Sequence, residues 1–187
     1  MKFTETSLPG VTLVDIEPHV DDRGYFARVW CEKEFRDHGL NPNVVQINTI
    51  VSHTKGTLRG VHFQHAPHAE AKYVRCLQGS IFDVAVDLRP DSPTFCQWYG
   101  TELKAGDGRM LYVPEGCGHG FQTLEDQTEV VYQATTTFAP DSATGVRYDD
   151  PAFNINWPID VSNLSDADGS WSEFSSELAF ASSAVEA

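Results

Sequence analysis

Short runs rich in β-branched and aromatic residues, cut at close intervals by Gly, Pro, Asp and Ser, set the fold class of this chain. VTLVDIEP, GYFARVW, NVVQINTIV, GTLRGVHFQ, KYVRCLQ, SIFDVAVDL, QWYGTEL, RMLYVP, HGFQTL and TEVVYQATTTF follow one another with turn residues between them. Runs of this length read as strands that pack against a second layer, so the sequence predicts an all-β sandwich or barrel. The chain has 187 residues, enough for one sizeable core. LQ-GS-IF carries a two-residue Gly-Ser connection and predicts a hairpin, with KAGDGR and LEDQ as further turns. CEKEFRDHGL, with Phe35 and Leu40 apolar among charges and Gly39 as a stop, predicts one short peripheral helix. The strand pattern ends after Trp157-Pro158. Residues 1–171 are therefore expected as a single domain, and SEFSSELAFASSAVEA, 172–187, as a helix or a mobile tail.

A formal charge of −14 argues against a nucleic-acid footprint or a basic membrane patch. The absence of an 18-residue apolar run or an apolar leader makes a cytoplasmic protein the expectation. Cys31, Cys76, Cys96 and Cys117 are far apart and lack CxxC spacing, so they read as small reduced hydrophobes. In SIFDVAVDL, Phe82, Val84, Val86 and Leu88 share one face and Ile81, Asp83, Ala85 and Asp87 the other. That second face is either the wall of a cavity or a solvated surface.

Of seven histidines, His62, His65 and His68 crowd into GVHFQHAPHAEAK. Metal ligands on one strand are two residues apart, whereas His62 and His65 are three apart, and Pro67 puts His65 and His68 in a loop. No metal and no cofactor are expected. What remains suits proton chemistry, although spacing alone does not separate a basic histidine from a structural one.

TLRGVHFQ, KYVRCLQGSIFDVAVDLRPDSPTFCQW, LYVPEGCGHGFQTL and TEVVYQATTTFAP closely resemble the motifs of the dTDP-4-dehydrorhamnose 3,5-epimerase family of the cupin superfamily. The resemblance runs from DDRGYF at residue 21 to about Trp171. It implies a cupin-type jelly-roll barrel with short peripheral helices, a homodimer, and a nucleotide-sugar substrate, dTDP-linked, whose C3 and C5 are inverted beside a C4 ketone. A proton α to a ketone is too weakly acidic for imidazole alone, so base and enolate support must act together. The resemblance makes His62 of RGxHxQ the base and Tyr132 of E-x-x-Y the donor on the opposite face. Lys72 would hold the ketone or enolate oxygen, with Asp83 orienting Lys72 or polarising the cluster. Asp168 of NLSDAD would partner the imidazole. Arg23 and Arg59 match phosphate-binding arginines, Gln46, Asn48 and His119 polar substrate contacts, and Phe138 a ring stacked on the base.

Several positions depart from the family pattern. Ile47 replaces an aspartate, Arg28 an acid, Ala143 a glutamate, Thr137 a tyrosine and Ala167 the base preceding the C-terminal aspartate. These positions bear on ligand recognition more than on proton transfer. Two alternatives stand beside full 3,5-epimerisation: an epimerase acting at C3 or C5 alone on a related sugar, and a non-catalytic cupin that binds a sugar nucleotide. A pure binding module has no use for His62 and Tyr132 together.

Overall fold

A computed structural model of the chain describes residues 1–180. Two antiparallel sheets face each other. The first has six strands in the spatial order β1 (Lys2–Glu5), β2 (Thr12–Asp15), β10 (Arg109–Val113), β7 (Lys72–Gln78), β12 (Thr128–Ala134) and β5 (Gln46–Ser52). The second has five, β13 (Ala143–Gly145), β6 (Leu58–Gln64), β11 (Cys117–Thr123), β8 (Ser80–Asp87) and β9 (Trp98–Lys104). A separate ribbon pairs β3 (His19–Asp21) with β4 (Gly24–Phe26). This is the all-β jelly roll of the cupin type that the motifs implied.

Consecutive strands in the barrel mostly change sheet. The hairpin predicted at LQGSIF does not form: β7 pairs with β10 and β12, β8 pairs with β11 and β9, and the two do not pair with each other. Gly79 does adopt a positive φ of 73°, but it turns the chain from one sheet to the other. A Cβ there would also lie 2.7 Å from Thr128 Oγ1. KAGDGR and LEDQ are turns as well, and both carry the chain between sheets.

Between the sheets lies a core that includes Leu8, Val11, Val74, Cys76, Ile81, Ala85, Leu111, Phe121 and Val130. Each large apolar side chain buried there contributes about 1.5–3 kcal/mol relative to exposure. The predicted helix forms at α1 (Glu32–Asp37), and Gly39 follows it with a φ of 75°. Its Phe35 packs on Tyr73 behind the first sheet, at a ring distance of 5.0 Å. Strand β8 is buried on both faces, so neither face is a solvated surface. Phe82, Val84, Val86 and Leu88 pack outward under Phe153, Trp157 and Phe174, while Ile81, Asp83 and Ala85 point between the sheets.

Cys76 and Cys117 are buried as expected, whereas Cys31 and Cys96 are only partly covered; all four are free thiols. Residues 172–180 include a 3-10 turn at Ser176–Leu178, and the Phe180 N–H donates to the Leu88 carbonyl at 2.9 Å. Residues 181–187 of the expected tail lie outside the described residues. Among those described, no helix is long and apolar enough to cross a membrane.

Candidate active site

Strand register decides which side chains face the space between the sheets. On the first sheet, Lys72 lies opposite Ala134, and Tyr132 lies between Val74 on one side and Asn48 on the other. Directly paired residues share a face, and so do residues two apart, so Gln46, Asn48, Lys72, Tyr132 and Ala134 all look toward the second sheet. There, His62 pairs with His119, Asp83 pairs with Phe121, and these four look back. The chain can bring β6 and β11 this close because Gly60 carries no side chain. A Cβ at Gly60 would lie 2.5 Å from the Gly120 Cα. The glycine of RGVH therefore places the histidine that follows it.

The facing strips leave a cavity with two lobes. The larger, of about 550 Å³, is lined by Gln46, Asn48, Phe138, Glu70 and Ala143 among others. The smaller, of about 310 Å³, is lined by Arg59, His119, Phe121, Ala167 and Asp168 among others. His62, Lys72, Tyr132 and Trp171 line both. The site thus gathers nine of the residues named from the sequence, and two fall outside it.

Asp168 does meet His62. Short helix α2 (Asp166–Gly169) begins at Ser165, whose Oγ accepts the Asp168 N–H at 3.1 Å, and this turn aims the carboxylate at the imidazole. Asp168 Oδ1 lies 2.5 Å from His62 Nε2. Burial pushes the Asp168 carboxyl up, but the hydrogen bond and charge of His62, together with Ser165 and the Gly60 backbone, outweigh it and hold the group below the usual carboxylate range. Its contribution to stability is therefore in place above the unfolded pKa of about 3.9 and lost as pH falls through the lower folded value. With Nε2–H donated to a carboxylate, the lone pair of His62 sits on Nδ1.

Asp83 is fully buried, but it does not touch Lys72. Its Oδ1 lies 2.8 Å from His119 Nε2, which makes a second histidine–aspartate pair beside the first. The carboxylate beside Lys72 is Glu70, at 3.0 Å, with both side chains nearly buried. Lys72 Nζ also donates to the His62 carbonyl at 3.5 Å. Tyr132 stays protonated beyond the ordinary phenol range, because burial first and the Glu70 charge second push its pKa up.

Sequence motifs did not single out Glu70, Gln64 or Trp171. Gln64 closes RGVHFQ, and its role is legible only in three dimensions. Its Oε1 accepts the Ala139 N–H at 2.7 Å and its Nε2 donates to the His68 carbonyl at 2.8 Å. The Phe138 N–H is taken in turn by Gln46 Oε1 at 2.8 Å, which fixes that loop at the mouth of the larger lobe. Arg59 donates to Ser52 Oγ at 3.2 Å and faces the smaller lobe. Arg23 is the outlier: it sits on the β3–β4 ribbon, pairs with Asp21 and is 89% exposed. Among the described residues no group of three or more His, Cys, Asp or Glu gathers as a metal would require.

A base on one sheet and a proton donor on the other can take a proton from one side of a bound carbon and return one to the opposite side. Fold and site together define a cupin-type carbohydrate epimerase. The chain belongs to the dTDP-4-dehydrorhamnose 3,5-epimerase family, whose profile matches residues 5–176. It is 43% identical over 158 residues to the dTDP-4-dehydrorhamnose 3,5-epimerase of Sinorhizobium fredii, covering 84% of this chain and 81% of the relative. It is similar to the crystal structure of that enzyme from Elizabethkingia anophelis, at a TM-score of 0.90 and 38% identity over 93% of this chain and 96% of the other. The structure of a Legionella pneumophila epimerase in complex with dTDP-4-keto-L-rhamnose matches at a TM-score of 0.88 and 32% identity, over 98% and 99% of the two chains.

Proposed function

We propose that this chain converts dTDP-4-keto-6-deoxy-D-glucose to dTDP-4-keto-L-rhamnose by inverting C3 and C5 through enolate intermediates. The observation that carries the reading is the placement of His62 and Tyr132 on opposing sheets, both lining both lobes of one cavity. His62 Nδ1 takes the proton from the carbon next to the C4 ketone, and Asp168 holds the ring and balances its charge. Lys72 meets the oxygen that becomes an enolate. Tyr132 returns a proton from the other side. The ketone at C4 flanks both carbons, so the same set of groups serves C3 and C5 in turn.

Arg59 suits the diphosphate and Phe138 the base, with residues 1–171 acting as one catalytic unit in the cytoplasm. Arg23 lies too far out to join its own cavity, and its ribbon exposes Val20, Tyr25 and Phe26. The outward face of β5 exposes Ile47 and Val51 as well. Single apolar residues on a surface are ordinary, but such a set is covered most simply by a second copy, whose cavity Arg23 then serves. Sedimentation of the purified chain should return twice the monomer mass; a monomer at micromolar concentration would sink the dimer.

The reaction is tested by incubating the wild-type chain with dTDP-4-keto-6-deoxy-D-glucose in D2O and reading the sugar by NMR. Deuterium at C3 and C5 with inversion at both is expected. Label at one carbon alone would restrict the enzyme to that carbon, and absence of exchange would remove the epimerase reading.

A further inference from the structure

Trp171 is the fourth residue that lines both lobes, with His62, Lys72 and Tyr132. The other three carry the proton chemistry, so the reacting ring of a substrate sits where these four meet. The Trp171 ring lies 6.4 Å from the His62 ring at 66°. It is delivered three residues after Asp168, so one short segment supplies both the partner of His62 and the wall beside it. Its seat is Gly145, which pairs with His62 across the β13–β6 ladder. A Cβ on Gly145 would lie 2.6 Å from Trp171 Cε2, so the indole occupies space that only glycine leaves open.

The polar atom of this ring is withheld from the cavity. Nε1 is buried and has no hydrogen-bond partner among the described residues. What the ring offers a ligand is carbon. Ala143 lines the larger lobe and Ala167 the smaller, and neither offers a hydrogen bond through its side chain.

We propose that Trp171 is a specificity residue whose indole receives the C5 methyl group of a 6-deoxy sugar and so selects 6-deoxy over 6-hydroxy nucleotide sugars. The inference rests on the sugar-epimerase reading above. Inversion at C5 carries this substituent from one side of the ring to the other, next to the groups that move the proton. A methyl group is buried favourably against the indole face. A hydroxymethyl group placed against the indole face gives up its water there and gains no partner from the ring, which costs more than a mere difference in fit.

Unreactive ligands separate binding from chemistry: dTDP-6-deoxy-D-glucose, dTDP-D-glucose and dTDP, titrated into the full chain by calorimetry. The wild type should favour the 6-deoxy sugar by about tenfold or more. Trp171→Ala should bring that ratio to within about twofold while leaving dTDP affinity within about twofold of wild type. If Trp171→Ala does not fold, Trp171→Gln, which brings hydrogen-bonding groups to the wall, carries the same expectation. A wild type that binds both sugars alike overturns the proposal, as does a preference that survives the substitution. An equal fall in affinity for all three ligands also overturns it, because it assigns Trp171 to the nucleotide or to packing. A wild type that binds none of the three removes the epimerase reading itself.

Discussion

His62→Ala should slow deuterium incorporation at both C3 and C5 by a factor on the order of 10²–10⁴, the range that a positioned general base supplies. Both carbons should suffer together, because one imidazole serves both. The effect belongs to chemistry and not to folding: the His62 side chain is 44% exposed, so truncating it opens no sealed void in the core. Affinity for dTDP should hold, since Arg59 and Phe138 remain. Asp168→Asn should act in the same direction through the ring: an amide can donate to Nε2 instead of accepting from it, which moves the lone pair away from Nδ1. The measurement is NMR exchange in D2O, with a thermal melt as the folding control. A His62→Ala chain that melts like wild type and exchanges at the wild-type rate would remove His62 from the role of base.

The strand runs announced an all-β fold because alternation along a strand is local, and α1 was readable from one stop glycine and its charges. Pairing was not local. Gly79 adopts the positive φ that glycine favours, yet a hairpin and a crossing between sheets can both use that backbone turn. The site divides along the same line. His62 could be singled out only by the resemblance of its motif, since from spacing alone it was one of seven histidines. Which carboxylate meets which base is not settled by the motif: Asp83 reaches His119 because β8 lies beside β11, whereas Lys72 finds its partner locally in Glu70, two residues earlier and just ahead of β7. Trp171 carried no signal, because its importance depends on Gly145, which lies far away in sequence on β13. Arg23 matched a motif in sequence but has no place in the cavity of this chain, because the β3–β4 ribbon holds it against Asp21 with its side chain 89% exposed.

Tyr132→Phe should separate two events that the wild type couples. The phenyl ring keeps the packing of Tyr132 against the core but loses its hydroxyl. His62 still removes the proton, its ring still exchanges with solvent, and it can return deuterium to the face it came from. Exchange at C3 and C5 should therefore persist within about tenfold of wild type, while net inversion falls by roughly 10²–10⁴, the worth of a positioned proton donor. The pH dependence carries a second signature. Burial and the Glu70 charge raise the pKa of Tyr132, so the donor remains protonated as pH climbs past about 10, where an ordinary phenol ionises. Loss of inversion at alkaline pH should thus begin above that value in the wild type, and Glu70→Gln, which removes the smaller of the two causes, should move it to lower pH. Inversion at wild-type rates in Tyr132→Phe would assign the second proton to another group on the same side of the cavity. If inversion and exchange fell in parallel, the hydroxyl would instead be supporting proton removal, and the enolate, not its reprotonation, would be where Tyr132 acts.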